Sequence, residues 1–221
     1  MPCYKRPEYT KLCIKALEEA QAYPRTAFYL VDDGSEDGTR EILEKSTLPK
    51  RVTINKENKG LRDTVIDFFE TVRDKDYDFI AIVGNDVLMP KDWVKKMIDK
   101  FEVTDADVLS PNYMPSNPAY AFGQTDDKGL GYRPEKMIVG LWFMKIEMIK
   151  DLIFERFHLW GIKGSKQLLT QIKLDKDPKI GWNTDVMAQD LGHWSGKHPD
   201  HIKTMEHLEY YNEVGRNLSY A

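Results

Sequence analysis

The sequence predicts an α/β fold with a mainly parallel sheet flanked by helices. Three observations predict it: short apolar runs alternate with segments of helical spacing, the run from Phe79 to Val83 is unbroken as in a strand covered on both faces, and the runs end abruptly in polar, turn-forming residues. In such sheets ligands bind beyond the carboxyl ends of the strands. Two loops, Asp32 to Gly38 and Gly84 to Asp86, are therefore the expected site.

Each element follows from a local signal. Pro2-Cys3-Tyr4 reads as the end of a first strand preceded only by Met1, so either another segment fills that sheet position or the chain is a truncated or rearranged form. Pro7 opens a helix in which Tyr9, Leu12, Cys13, Ala16, Leu17 and Ala20 recur at helical spacing. Thr26 to Val31 is a strand, the acidic loop Asp32 to Gly38 ends it, and Thr39 to Lys45 resumes a helix. Val52 to Ile54 is a short strand. Leu61 to Val72 is a helix with Val65, Ile66, Phe68, Phe69 and Val72 on its apolar face. Phe79 to Val83 is a strand, Lys91 to Phe101 a helix and Val108 to Leu109 a strand. In the second half, Met137 to Met144 reads as a strand, and Ile146 to Ile153 and Trp182 to Leu191 as helices, the latter opened by Asn183 or Thr184. Ile202 to Met205 reads as a final strand, and the stretch from Phe154 to Ile180 shows no clear period.

Composition narrows the partners. With 221 residues, 41% hydrophobic and 31% charged, the chain fits one soluble globular domain, or one domain with a small appendage. A formal charge of -4 gives no overall electrostatic reason to expect nucleic acid or an anionic membrane, which leaves a small ligand. Cys3 and Cys13 do not form a disulfide framework, so a reducing compartment is expected. No apolar run approaches the roughly 18 residues of a membrane span. The start of the chain lacks a signal-peptide core, and a cytoplasmic location is expected.

Several residues have the chemistry for a site. Asp32 and Asp33, at a strand's carboxyl end, can accept hydrogen bonds from a nucleotide base and ribose, or can be a solvated turn. Asp86 offers a hard oxygen ligand for Mg²⁺ or Mn²⁺ on a diphosphate, or caps the helix ahead of it. Asp185 and Asp190 are five apart, so on a helix at most one faces the site, as a general base or as an exposed complement to the helix dipole. Arg62, four residues after Asn58, is a phosphate contact or a solvated cation, and Tyr4, Lys5 and Arg6 can stack on a base or hold a phosphate. Trp142, Trp182 and Trp194 are sugar-stacking platforms or core residues. Four of the five histidines, His193, His198, His201 and His207, crowd one segment, where one of them completes a metal site or all are surface residues.

Together these residues resemble the family-2 glycosyltransferases of the GT-A fold. Pro2-Cys3-Tyr4-Lys5-Arg6-Pro7 is similar to the family's Pro-x-Tyr-Asn-Arg opening, with Lys5 in place of Asn. Val31-Asp32-Asp33-Gly34-Ser35-Glu36-Asp37-Gly38-Thr39 resembles its nucleotide-binding loop almost residue for residue. Asn58-Lys59-Gly60-Leu61-Arg62 resembles its Asn-x-Gly element. Gly84-Asn85-Asp86 stands at the metal-binding Asp-x-Asp position, Gly140-Leu141-Trp142-Phe143 at the strand beneath the acceptor, and Trp182-Asn183-Thr184-Asp185 at the late Glu-Asp segment. The likeness is close over residues 2 to 110 and loose over 137 to 210.

The resemblance implies one continuous GT-A domain with a small antiparallel acceptor-side region, residues 1–110 forming the nucleotide-sugar half and 111–221 the acceptor and catalytic half. It implies a nucleoside-diphosphate sugar, UDP being the family's common nucleotide, read by Cys3, Tyr4, Arg6, Asp32, Asp33, Ser35, Asn58, Gly60, Arg62 and Asn85. Asp86 and His207 would hold Mn²⁺ or Mg²⁺, Asp185 would be the base of an inverting transfer, and Trp142, Trp182 and His193 would lie toward the acceptor. The acceptor hydroxyl stays open among glycan, lipid, protein, metabolite and modified nucleobase. A nucleotidyltransferase is the rival enzyme, although Cys3 to Pro7 lacks its glycine-rich loop. A non-catalytic nucleotide- or sugar-binding module is the rival outside catalysis.

Overall fold

The computed structural model describes residues 1–20, 23–113, 127, 130–131, 141–154 and 165–191. In chain order the elements are β1 (Pro2–Cys3), α1 (Pro7–Glu19), β2 (Phe28–Asp32), α2 (Thr39–Lys45), β3 (Lys50–Ile54), α3 (Leu61–Val72), β4 (Phe79–Val83) and β5 (Val87–Leu88). There follow α4 (Trp93–Val103), β6 (Val108–Tyr113), β7 (Leu130–Gly131), β8 (Leu141–Lys145), a 3₁₀ turn at Ile146–Met148, α5 (Ser165–Lys176) and β9 (Ile180–Asp190).

Among the described residues the strands form two sheets. The first is parallel, in the order β1-β2-β3, with Pro2 opposite Val31 and Phe28 opposite Lys50. The second runs β4-β8-β6-β9-β5, with β7 also on β9. In it β8 lies antiparallel between β4 and β6, whereas β6 and β9 are parallel, so β4, β6 and β9 share one direction. The α/β class holds, and antiparallel pairing, including β5 and β7 on β9, is more extensive than expected from the sequence.

Helix α3 buries Val65, Ile66, Phe69 and Val72, four of the five residues expected on its apolar face. Against the opposite face, α4 contributes Trp93 and Phe101 to an aromatic cluster in which the Phe79 and Phe101 rings stack at 5.0 Å and Trp93 meets Phe143 edge-on at 5.8 Å. The largest core cluster joins Leu17, Leu30 and Leu43 to Trp182, Val186 and Ala188, so both ends of the described chain share it.

Several expectations are corrected. The segment from Trp182 to Leu191 is not a helix: Ile180–Asp190 is strand β9, held by β6 on one side and by β5 and β7 on the other. A strand buried on both faces carries apolar residues without strict alternation, and its period then resembles a helix's. Asn183 is no cap, because its amide donates to the Lys96 carbonyl at 3.0 Å. Ile146 to Ile153 makes only the 3₁₀ turn before Asp151, whose φ of 63° breaks the helical path. Helix α4 starts at Trp93 rather than Lys91, behind Asp92 at φ 57°. Helix α5 occupies part of the stretch that showed no period. Residues 137–140 and the strand expected at Ile202 to Met205 lie outside the described residues.

Candidate active site

The loop after β2 is built around two buried carboxylates. Asp32 is 1% exposed, and its Oδ1 accepts the Ser35 N–H three residues on at 3.1 Å, which holds the loop tight. Asp33 takes a different role. Its Oδ1 accepts from the Asn55 side chain at 2.8 Å and from the Lys59 N–H at 3.0 Å, and its Oδ2 accepts from the Gly60 N–H at 2.9 Å. It therefore fastens the Asn58-Lys59-Gly60 segment, and with it the start of α3, to the end of β2. Between the two segments Gly34 sits at φ 76°, where a Cβ would lie 2.6 Å from the Glu57 carbonyl carbon. Asn58 is exposed at the surface of this joint.

The chain leaving β1 is clasped to that loop and to the turn after β4. Lys5 and Arg6 both adopt left-handed backbone, with φ 55° and 62°. Two consecutive non-glycine residues there are strained by about 1–3 kcal/mol each, so their surroundings must hold them. The holding groups are visible: the Lys5 N–H donates to Ser35 Oγ at 2.8 Å, and the Lys5 carbonyl accepts from Asn85 Nδ2 at 3.1 Å. Asn85 also donates to Thr10 Oγ1 at 2.9 Å. Arg6 Nη1 meets Asp86 Oδ2 at 2.5 Å, both side chains about one-quarter exposed. Tyr4 stays half-exposed at the rim with Lys5 Nζ 5.3 Å from its ring centre.

Thus Tyr4, Arg6, Asp32, Asp33, Ser35, Gly60, Asn85 and Asp86 come together at the carboxyl ends of β1, β2 and β4. Other expected site residues do not join them as expected. The Cys3 thiol is in the core, where burial pushes it up to about 12, and only the Cys3 carbonyl serves the site by accepting the Asp33 N–H at 2.8 Å. Arg62 is buried, with its guanidinium 2.7 Å from Asp63. Trp142 and Trp182 are each 1% exposed in the central strands β8 and β9, which leaves no ring face for a sugar. His193 and His207 lie outside the described residues.

The two late aspartates separate. Asp185 sits where β9 bulges, since Pro111 pairs with Asn183 but Asn112 with Met187. Its carboxylate pairs at 2.6 Å with Lys100, a buried residue near the end of α4. Asp190 instead ends β9 opposite Val87, and the next residue, Leu191, donates its N–H to the Asp86 carbonyl at 2.8 Å. The three strand steps from Met187 to Asp190 alone rise about 10 Å. The helical reading hid this difference.

Tyr9 lies on the apolar face of α1. Its ring is buried, its hydroxyl has no hydrogen-bond partner among the described residues, and it packs with Cys13 and Leu191. Burial raises the phenol's pKa, Arg6 opposes this and Asp86 adds to it. Nothing in the sequence separates this tyrosine from a core aromatic.

Among the described residues no three His, Cys, Asp or Glu side chains gather into a metal cage. Asp86, a partly exposed carboxylate at the tip of the turn closed by Val87 N–H to the Gly84 carbonyl, still suits an ion that takes most of its ligands from phosphate and water, as Mg²⁺ does. No helix among the described residues is long and apolar enough to cross a membrane.

Comparison with known proteins agrees with this fold. A chain of S. aureus TarS, residues 1-349, solved in complex with UDP, is similar in fold with a TM-score of 0.65 at 19% identity, covering 85% of this chain and 58% of that one. The same protein solved with UDP-GlcNAc gives a TM-score of 0.63 at 17% identity, covering 100% of this chain and 65% of that one. Glycosyltransferase GlyG of Streptococcus pneumoniae is 26% identical over 179 residues, which are 80% of this chain and 55% of that protein. The chain thus spans about half the length of this curated relative. The model of glycosyl transferase family 2 matches residues 1–160, and the chain belongs to that family.

Proposed function

We propose that the chain transfers a sugar from a UDP-sugar to an acceptor hydroxyl by a metal-dependent, inverting single displacement. One observation carries the reading: the loops that follow β1, β2 and β4 are bonded into a single rim by Lys5–Ser35, Lys5–Asn85 and Arg6–Asp86. Ligands bind at such strand ends in open α/β sheets. The solved structures of similar fold that hold UDP and UDP-GlcNAc support the choice of donor.

In this reading the base and ribose lie over Asp32 and Tyr4, with Ser35 and Asn58 beside them. Asp33, Gly60, Arg62 and Asn85 shape the rim through their bonds to protein. Asp86, joined by His207, would hold Mg²⁺ or Mn²⁺, which when bound supplies positive charge to the leaving diphosphate. The acceptor oxygen attacks the sugar carbon, the carbon–oxygen bond to the diphosphate breaks, and UDP departs with that electron pair. A carboxylate takes the hydroxyl proton. Asp190 is assigned this role in preference to Asp185, because its position opposite Val87 is beside Asp86 whereas Asp185 is committed to Lys100.

Calorimetric titration of UDP into the protein with Mn²⁺ and with EDTA tests the site. Binding that needs the metal and is lost in Asp86→Ala is the expected result. Metal-independent binding, or none, would overturn the metal-bound diphosphate.

A further inference from the structure

Helix α1 brings Tyr9 up to the turn that carries Asp86. The Thr10 N–H donates to the Arg6 carbonyl at 3.0 Å and closes the first turn of α1, while the Thr10 hydroxyl accepts from Asn85 Nδ2 at 2.9 Å. With Thr10 and Asn85 bonded, Tyr9 and Asp86 are the adjoining residues of their two segments. A third segment meets them there. The Leu191 N–H donates to the Asp86 carbonyl at 2.8 Å, the Leu191 side chain packs with Tyr9, and Leu88 borders the same cluster.

The Tyr9 hydroxyl is the feature that packing does not explain. The residue is 5% exposed and its hydroxyl has no hydrogen-bond partner among the described residues. A phenylalanine would fill the same space without burying a polar group. Leu88 and Leu191 beside the ring carry no side-chain acceptor. The two ionic groups that act on the phenol are Arg6 and Asp86, which are paired with each other at 2.5 Å.

We propose that Tyr9 is a positioning residue for Asp86: its hydroxyl donates to the Asp86 carboxylate when a divalent cation takes the place of the Arg6 guanidinium. The inference rests on the reading of Asp86 as the metal ligand. Arg6 Nη1 now holds Asp86 Oδ2, so a cation at that oxygen competes with the guanidinium for it. Once the guanidinium is displaced, the carboxylate needs a donor that fixes its orientation and sets no second positive charge beside the ion. The phenol meets both conditions, because it is neutral, burial favours its protonated form, and its ring is held in the core. Carboxylates that ligate metals are themselves hydrogen-bonded, and loss of such a partner costs about tenfold to a hundredfold in metal affinity.

The test is Tyr9→Phe, which keeps the ring and removes only the oxygen. Free Mn²⁺ is followed by paramagnetic resonance in titrations with and without UDP, beside urea denaturation of the same proteins. Mn²⁺ affinity is expected to fall about tenfold, while stability stays level or rises because a stranded hydroxyl is gone. Tyr9→Phe placed on Arg6→Gln is expected to show the same fall, since the phenol acts on Asp86 and not through Arg6. Wild-type protein that binds Mn²⁺ no better than Tyr9→Phe would overturn the positioning role and leave Asp86 as the ligand. So would a loss of stability without loss of metal, the mark of a hydroxyl bonded within the fold. Wild-type protein that takes up no Mn²⁺ even with UDP would overturn the metal reading and the role of Tyr9 together.

Discussion

The Asp33 carboxylate accepts the Gly60 N–H at 2.9 Å and so fixes the start of α3 to the end of β2. The same side chain serves Asn55 and the Lys59 N–H, which makes it a structural clamp inside a loop whose sequence reads as a ligand contact. Asp33→Ala leaves three part-buried donors without their acceptor, so a loss of about 1–3 kcal/mol is expected in urea denaturation. Asp33→Asn, which turns an amide toward donors, is expected to recover little of it.

Gly34 makes the neighbouring test of the same joint. Gly34→Ala sets a methyl 2.6 Å from the Glu57 carbonyl carbon at a φ of 76°, and backbone must shift to admit it. The expected cost is about 2–4 kcal/mol by denaturation, with weakened UDP binding because Ser35 moves with the loop.

Arg6 holds the carboxylate assigned to the metal. Arg6→Gln removes a competing cation from Asp86, and Mn²⁺ binding without nucleotide is expected to tighten by about threefold to tenfold, read from the free-ion paramagnetic resonance signal. Asp86→Ala is expected to abolish that binding.

Asp185→Asn and Asp190→Asn should part company. Loss of the Asp185 charge weakens its pair with Lys100, and with the Asp185 side chain 60% exposed the cost is held to about 1 kcal/mol, with transfer retained. Asp190→Asn is expected to keep UDP binding while lowering turnover by at least about a hundredfold. Single-turnover assays beside UDP titrations distinguish the two. Retained transfer by Asp190→Asn would reject the assignment of the base.

The Met1 amino group supplies a pH signature. Burial lowers its pKa from 8.0 to about 6. The unfolded chain therefore binds more protons than the folded one between pH 6 and 8, and stability rises with pH across that window. The gain approaches about 2–3 kcal/mol, complete above pH 8 and absent below 6. Denaturation at pH 6 and pH 8.5 measures it, and acetylation of the amine is expected to flatten the profile.

What the sequence could show was local. The strand ends at Asp32 and Val83 and the helices α1, α2 and α3 are written in short-range periodicity and turn residues, and the structure has them within two residues of the expected places. Strand β9 was misread because its partners come from β5, β6 and β7, and no neighbouring residue encodes such long-range pairing. The same limit hid the surroundings of the late carboxylates, since helix and strand put Asp185 and Asp190 on different neighbours. For Cys3, Arg62 and the two tryptophans, residue type matched a ligand contact, but burial depends on the finished packing.

Asn85 spends its amide on two carbonyl- and hydroxyl-bearing partners, Lys5 and Thr10, that belong to the other sheet's loop and helix. The proposed nucleotide rim and the turn carrying Asp86 are consequently tied into one body. Occupancy of either is then linked to the other: whatever factor an ion at Asp86 adds to nucleotide affinity, the nucleotide must return to the ion. Severing Asn85 would loosen that linkage, leaving only the direct attraction between ion and diphosphate to couple the two equilibria.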